Sequence, residues 1–266
     1  MLNLTLYKRE MKGSIKLLVI FAAIITMYVS IIISMYDPEM TAALNSFVEA
    51  LPELMASVGM SDRATNLLDF MISYLYGLIL LIFPMVFSIL RGNGLIAKYV
   101  DKGSLVTLVA APIKRRTIAF TQMCVLISGV ALIMLYVTGL EIIVAHLSFP
   151  GELVVENLLT LNMGLMCLHL FIAGICFLSS CVFSDTKYSI AFGAGIPALM
   201  YVLQMLTNAG EKAEAVKYCT FFTLFDANGI VAGEGFAMIG IAIFLVGAIL
   251  LFAAGITAFC KKDLHI

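Results

Sequence analysis

The sequence predicts an all-α integral membrane protein with six transmembrane helices and both termini in the cytoplasm. Three observations carry that expectation. Of the 266 residues, 62% are hydrophobic and 12% charged, and the mean hydropathy is +1.06; a soluble domain is about half apolar and a quarter charged. Six stretches, near 17–36, 69–90, 118–141, 158–183, 188–207 and 236–259, are each long enough for a spanning helix, which takes roughly 20 apolar residues. The cations then set the orientation. With the N-terminus inside, only Arg63, Lys212 and Lys217 fall outside, and the other Lys and Arg residues lie in cytoplasmic segments, as the positive-inside rule requires.

The chain opens with residues 1–16, a basic interfacial helix carrying Lys8, Arg9, Lys12 and Lys16, with Leu4, Leu6, Met11 and Ile15 on its apolar side. It leads into the first span, and no cleavage site for a signal peptide is apparent. Outside, residues 37–68 hold Leu44, Phe47, Val48, Leu51, Leu54 and Met55 at helical spacing. That spacing predicts an amphipathic surface helix, bent or restarted at Pro52. Spans two and five contain Pro84 and Pro197. Each lacks a backbone donor and is expected to kink its helix.

Polar residues within the spans are few. His169 lies in the middle of span four, where one neutral imidazole suits a hydrogen bond across helices. Glu141 is expected near the outer end of span three, within reach of water. Ser184 to Lys187 is the whole connection between spans four and five. Residues 208–235 begin polar and turn apolar at "VKYCTFFTLF", which is too short to span; a re-entrant pair of half-helices or an interfacial helix is expected.

Catalytic chemistry finds no support in the motifs. No G-x-x-x-x-G-K-[ST], H-E-x-x-H or G-x-S-x-G pattern occurs, the three histidines are scattered, and the six cysteines contain no C-x-x-C pair. The net charge of −1 gives no reason to expect a nucleic-acid partner. A secondary transporter is the chief rival reading from another class. It should carry inverted repeats and buried ions, of which the sequence shows no clear sign.

The segment 91–117 is unusual. Asn93 is a plausible N-cap for a short helix with Leu95, Ile96 and Tyr99 on one face. Gly103 can end that helix and Ser104 can cap a second one, which Ala111-Pro112 stops. Lys114, Arg115 and Arg116 follow at the entrance to span three, among anionic headgroups. Two short, partly apolar helices in the cytoplasm are more than the positive-inside rule needs.

This segment, "AKYVDKGSLVTLVAAPIKRRTIAF", resembles the one after the second span in type-2 ABC transporter permeases. Asp101, Gly103, Ser104, Leu105, Leu108, Val109, Ala110, Pro112, Ile113 and Arg115 match the family pattern in order, while Lys98 and Gln122 depart from it. The basic first helix, the six spans, the short loop between spans four and five, the segment "KYCTFFTLFDANGIVAGE" and the ending "CKKDLHI" extend the resemblance over the whole chain. It implies the type-2 ABC exporter fold and a coupling segment seated on a separate ATP-binding subunit. Two such subunits and a second permease protomer, as a homodimer or with a close homologue, would complete the unit in a bacterial cytoplasmic membrane. ATP and Mg would belong to the partner, and this chain would carry no cofactor or metal. Arg91, Lys98, Asp101, Lys102 and Leu105 are then the expected coupling residues, and Tyr74, Tyr76, Tyr201 and Gln204 the expected path. Its 16 Met and 18 Phe residues offer adaptable apolar surface, suited to amphipathic peptides such as toxins or antimicrobial peptides, with lipophilic drugs or lipids as the alternative.

Overall fold

The computed structural model describes residues 2–37, 50–57, 66–101, 113–208 and 217–262. Among them the chain is all-helical, with six helices long and apolar enough to cross a membrane. It is a multi-pass membrane protein.

Helix α1 (Leu4–Ser34) is continuous, so the basic segment and the first span form one rod. Asn3 caps it, its side chain accepting from the Leu6 N–H. Leu4 and Ile15 face outward, while Leu6, Glu10 and Ser14 turn inward along one stripe. Most of residues 38–65 lies outside the description; within it, α2 (Pro52–Ser57) begins at Pro52. Proline at a helix start has the right φ and loses no ladder bond.

Span two is broken. Helix α3 (Leu67–Met71) passes into a π-helical turn, Ile72–Tyr76, before α4 (Ile79–Leu95) resumes. Pro84 lies within α4, so the irregular backbone starts well before the proline that predicts a kink. A short α5 (Ala97–Asp101) follows. Asn93 does not start a helix, contrary to the capping expectation. It is buried inside α4, where its Nδ2 donates to the Ile89 carbonyl at 2.8 Å and its Oδ1 accepts from Ser189 at 2.7 Å. The chain breaks three residues later at Ile96. There, the Ile96 and Ala97 N–H groups both donate to Ser180 Oγ, at 3.2 and 3.0 Å. The second helix expected after Ser104 falls outside the described residues.

Helices α6 (Arg115–Ser148), α7 (Val155–Val182), α8 (Thr186–Asn208) and α10 (Gly235–Lys261) complete the spans. Before α10, residues 217–232 form short pieces: a 3₁₀ turn, Phe221–Leu224, and α9 (Ala227–Ala232), which ends on Gly233 at φ 71°. Asp226 caps α9, accepting from the Gly229 N–H at 3.0 Å.

Helix α7 is the hub of the bundle, packing against α4, α6, α8 and α10. Its small residues allow the close approach. A Cβ on Gly174 would meet Leu251 at 3.0 Å, and one on Gly164 would meet Ile230 at 2.9 Å. One end of the bundle gathers Asn3 and Lys262: Asn3 N donates to Thr121 Oγ1 at 3.0 Å, and Arg115 Nη1 to the Lys262 carbonyl at 2.9 Å. Burial at that end holds the Lys262 ammonium below its ordinary range.

Candidate functional site

The two proline-containing helices leave one carbonyl each without its ladder partner, because proline at position i cannot donate to residue i−4. For Pro84 that carbonyl is Leu80, and for Pro197 it is Gly193. Helix α7 supplies both replacements. His169 Nε2 sits 2.8 Å from the Leu80 oxygen, and Cys176 Sγ donates to the Gly193 oxygen at 3.1 Å. A carbonyl only accepts, so the His169 proton is on Nε2. The two donors stand seven residues apart, on one face of α7. His169 thus makes the cross-helix bond expected of it, and Cys176 is its unforeseen counterpart.

Toward the far end, α4, α8 and residues 217–228 surround a cavity of about 1070 Å³. Tyr76, Tyr201 and Gln204 line it, together with Met200, Phe221 and Phe222. Tyr201 donates to the Gly77 carbonyl at 3.3 Å, at the break between the π turn and α4. Its ring meets Phe222 edge-on, with centroids 5.6 Å apart. Gln204 Nε2 donates to Asn208 at 3.1 Å, and its Oε1 accepts from Thr223 at 3.0 Å. Thr220 Oγ1 donates to the Met200 carbonyl at 2.9 Å. These bonds fasten the short pieces before α10 onto α8 and make them the cavity wall. Tyr74 does not line the cavity; its ring packs on Phe70, with centroids 4.6 Å apart.

Behind Tyr76 lies a polar cluster. Asn162 Nδ2 donates to Glu141 Oε2 at 2.7 Å. The Tyr76 hydroxyl is 3.2 Å from that same oxygen and 3.0 Å from Asn162 Oδ1. Glu141 is fully buried and its Oε1 has no partner. The expectation that this carboxyl reaches water is therefore overturned. Helix α6 runs on past Glu141 to Ser148, which sets the residue well inside the bundle rather than at its rim.

At the end that gathers Asn3 and Lys262, the expected coupling residues divide. Arg91 is committed within the chain: its Nη2 donates to the Glu10 carboxylate and to the Glu10 carbonyl, both at 2.7 Å. Tyr99 donates to the other Glu10 oxygen. Lys98 and Asp101 are exposed on α5. Lys102 and Leu105 lie outside the described residues. Glu10, Asn162 and Cys176 take part without having been singled out from the sequence. For Cys176 a readable signal existed in the two prolines, whose freed carbonyls call for donors on neighbouring helices.

Comparison with family models, curated proteins and solved structures finds no match. The class defined by the fold is a multi-pass membrane protein with, among the described residues, six helices able to span and a cavity between two proline-containing ones.

Proposed function

We propose that the chain is the membrane subunit of an ATP-driven exporter of the type-2 ABC permease kind, moving hydrophobic or amphipathic substrates, with peptides the favoured class. The observation that carries this reading is the placement of the cavity. It lies between α4 and α8, which both contain a proline, and it is walled by Tyr76, Tyr201 and Gln204 with Met and Phe side chains. Helices with freed carbonyls re-satisfied from a third helix can bend without stranding a buried polar group. An aromatic and amide lining suits a substrate with both apolar surface and hydrogen-bonding groups.

Power would come from a separate ATP-binding subunit docked on segment 91–117. Lys98 and Asp101 offer exposed charges there, and Arg91 ties α4 to α1 beside them. A second protomer and the surrounding lipid complete the working unit. The test is co-expression with an ATP-binding partner, followed by peptide-stimulated ATP hydrolysis in proteoliposomes. Stimulation by amphipathic peptides is expected; its absence across peptides, lipids and lipophilic drugs would sink the reading. A secondary transporter is the second reading, and buried Glu141 favours it. Substrate flux driven by an ion gradient without ATP would decide for that alternative.

A further inference from the structure

Three groups meet beside the cavity in a closed triangle: Tyr76 from the π turn, Glu141 from α6 and Asn162 from α7. Each side of the triangle is a contact of hydrogen-bond length between electronegative atoms, and each is fully satisfied only with a proton of its own. The Asn162 amide supplies the proton on the 2.7 Å side, to Glu141 Oε2. The Tyr76 hydroxyl has a single proton and two acceptors, Glu141 Oε2 at 3.2 Å and Asn162 Oδ1 at 3.0 Å. An ionised Glu141 leaves one side of the triangle without a donor. It also leaves a negative charge away from water with its Oε1 bare.

A proton on Glu141 Oε2 closes the count. Glu141 then donates to the Tyr76 oxygen, Tyr76 donates to Asn162 Oδ1, and Asn162 donates back to Glu141 Oε2. Oε1 becomes a neutral carbonyl oxygen, which is far cheaper to leave unpaired than half a carboxylate. Turning the Asn162 amide over does not change the result, since two of its atoms still serve two sides and the third side still needs a proton from Glu141. Among the described residues, the spanning helices around the triangle offer no cation instead; His146 follows on α6 and Lys217 lines the cavity, but neither is bonded to the Glu141 carboxyl. Helix α1 has no charged residue between Lys16 and Asp37, span two none between Asp69 and Arg91, and α10 none between Glu234 and Lys261. In α7 the one ionisable nitrogen base is His169, whose Nε2–H is taken by Leu80.

From this geometry we infer that Glu141 is an intramembrane proton-binding site, closed by Tyr76 and Asn162, with the Tyr76 side chain between it and the cavity. Tyr76 is the member of the triangle that also lines the cavity. Proton release follows one balanced path: the Tyr76 hydroxyl breaks its bond to Asn162 Oδ1 and gives up its proton on the cavity side, as its oxygen takes the proton of Glu141, which is left ionised. Loss of the proton removes one side of the triangle and frees Tyr76, the last residue of the π turn. The site stands independently of whether the chain works with an ATP-binding partner.

Infrared spectroscopy of the purified chain in lipid nanodiscs at neutral pH tests this. The carbonyl stretch of a protonated carboxylic acid is expected, and is lost in Glu141→Gln. If the glutamine variant does not fold, Glu141→Asp is expected to shift the same band. In Tyr76→Phe the band should persist, move to higher frequency as the acid loses its acceptor, and exchange more slowly in D₂O. A carboxylate stretch alone at neutral pH, or an acid band indifferent to substitution of Glu141, would overturn the proton site. Unchanged exchange in Tyr76→Phe would overturn the route through Tyr76.

Discussion

His169 on α7 donates its Nε2–H to the Leu80 carbonyl at 2.8 Å, and Leu80 precedes Pro84 by the four residues of one helical hydrogen bond. The imidazole replaces the N–H that proline lacks. Without it, a carbonyl in the apolar interior would have no donor and no water.

This pairing makes a double-mutant cycle informative. His169→Ala is expected to cost about 1–3 kcal/mol by stranding the Leu80 oxygen, beyond any packing loss. Pro84→Ala restores an intrahelical donor for that oxygen, so the cost of His169→Ala should shrink in the Pro84→Ala background. Unfolding in detergent, read by circular dichroism, measures the coupling; equal costs in both backgrounds would refute the replacement.

Gly92 and Gly94 in α4 should respond differently to a Cβ. A Cβ on Gly92 would fall 2.7 Å from Cys176 Cβ, whereas one on Gly94 meets nothing within 4 Å. Gly92→Ala is therefore expected to destabilise by about 1–3 kcal/mol through overpacking against α7. Gly94→Ala should be neutral, or stabilising by up to about 1 kcal/mol from helix propensity. Paired thermal melts of the two variants check this.

Glu10 and Arg91 link α1 to the end of α4 in a largely buried ion pair. Removing either partner alone is expected to cost about 3 kcal/mol, because the other charge is left half-desolvated. Glu10→Gln with Arg91→Met should cost less than the sum of the singles. Additive losses would mean that the two residues act separately.

The cavity wall rests on a backbone contact with α10. A Cβ on Gly240 would lie 2.3 Å from the Leu224 carbonyl oxygen, too close for any rotamer to relieve. Gly240→Ala should push the Phe221–Leu224 turn off α10, lowering the thermal midpoint and, on the proposed function, weakening substrate binding. Gly235→Ala, with nothing within 4 Å, serves as the control and should melt like the parent chain.

The spans were legible because a run of about 20 apolar residues has one stable solution in a bilayer, a helix that satisfies its own backbone. Boundaries were less so: α6 reaches from Arg115 to Ser148, well past the hydropathy edges, since helices continue through the headgroup layer. The π turn at Ile72–Tyr76 left no mark in composition, and Pro84 pointed to a kink farther along the span. Asn93 read as a cap because its residue type favours caps. Ser189, brought close by the packing of α4 on α8, gave it a partner inside the helix instead.

By itself, the sequence determined that this is a membrane protein of six helical spans, two of them carrying a proline that withholds one backbone donor. Tertiary structure alone decided that His169 and Cys176 answer the carbonyls of Leu80 and Gly193. It also decided that Glu141 is sealed behind Tyr76 and Asn162 rather than open to water. The physical reason is that hydropathy acts residue by residue along the chain, whereas polar pairing inside a bilayer depends on which faces of distant helices meet.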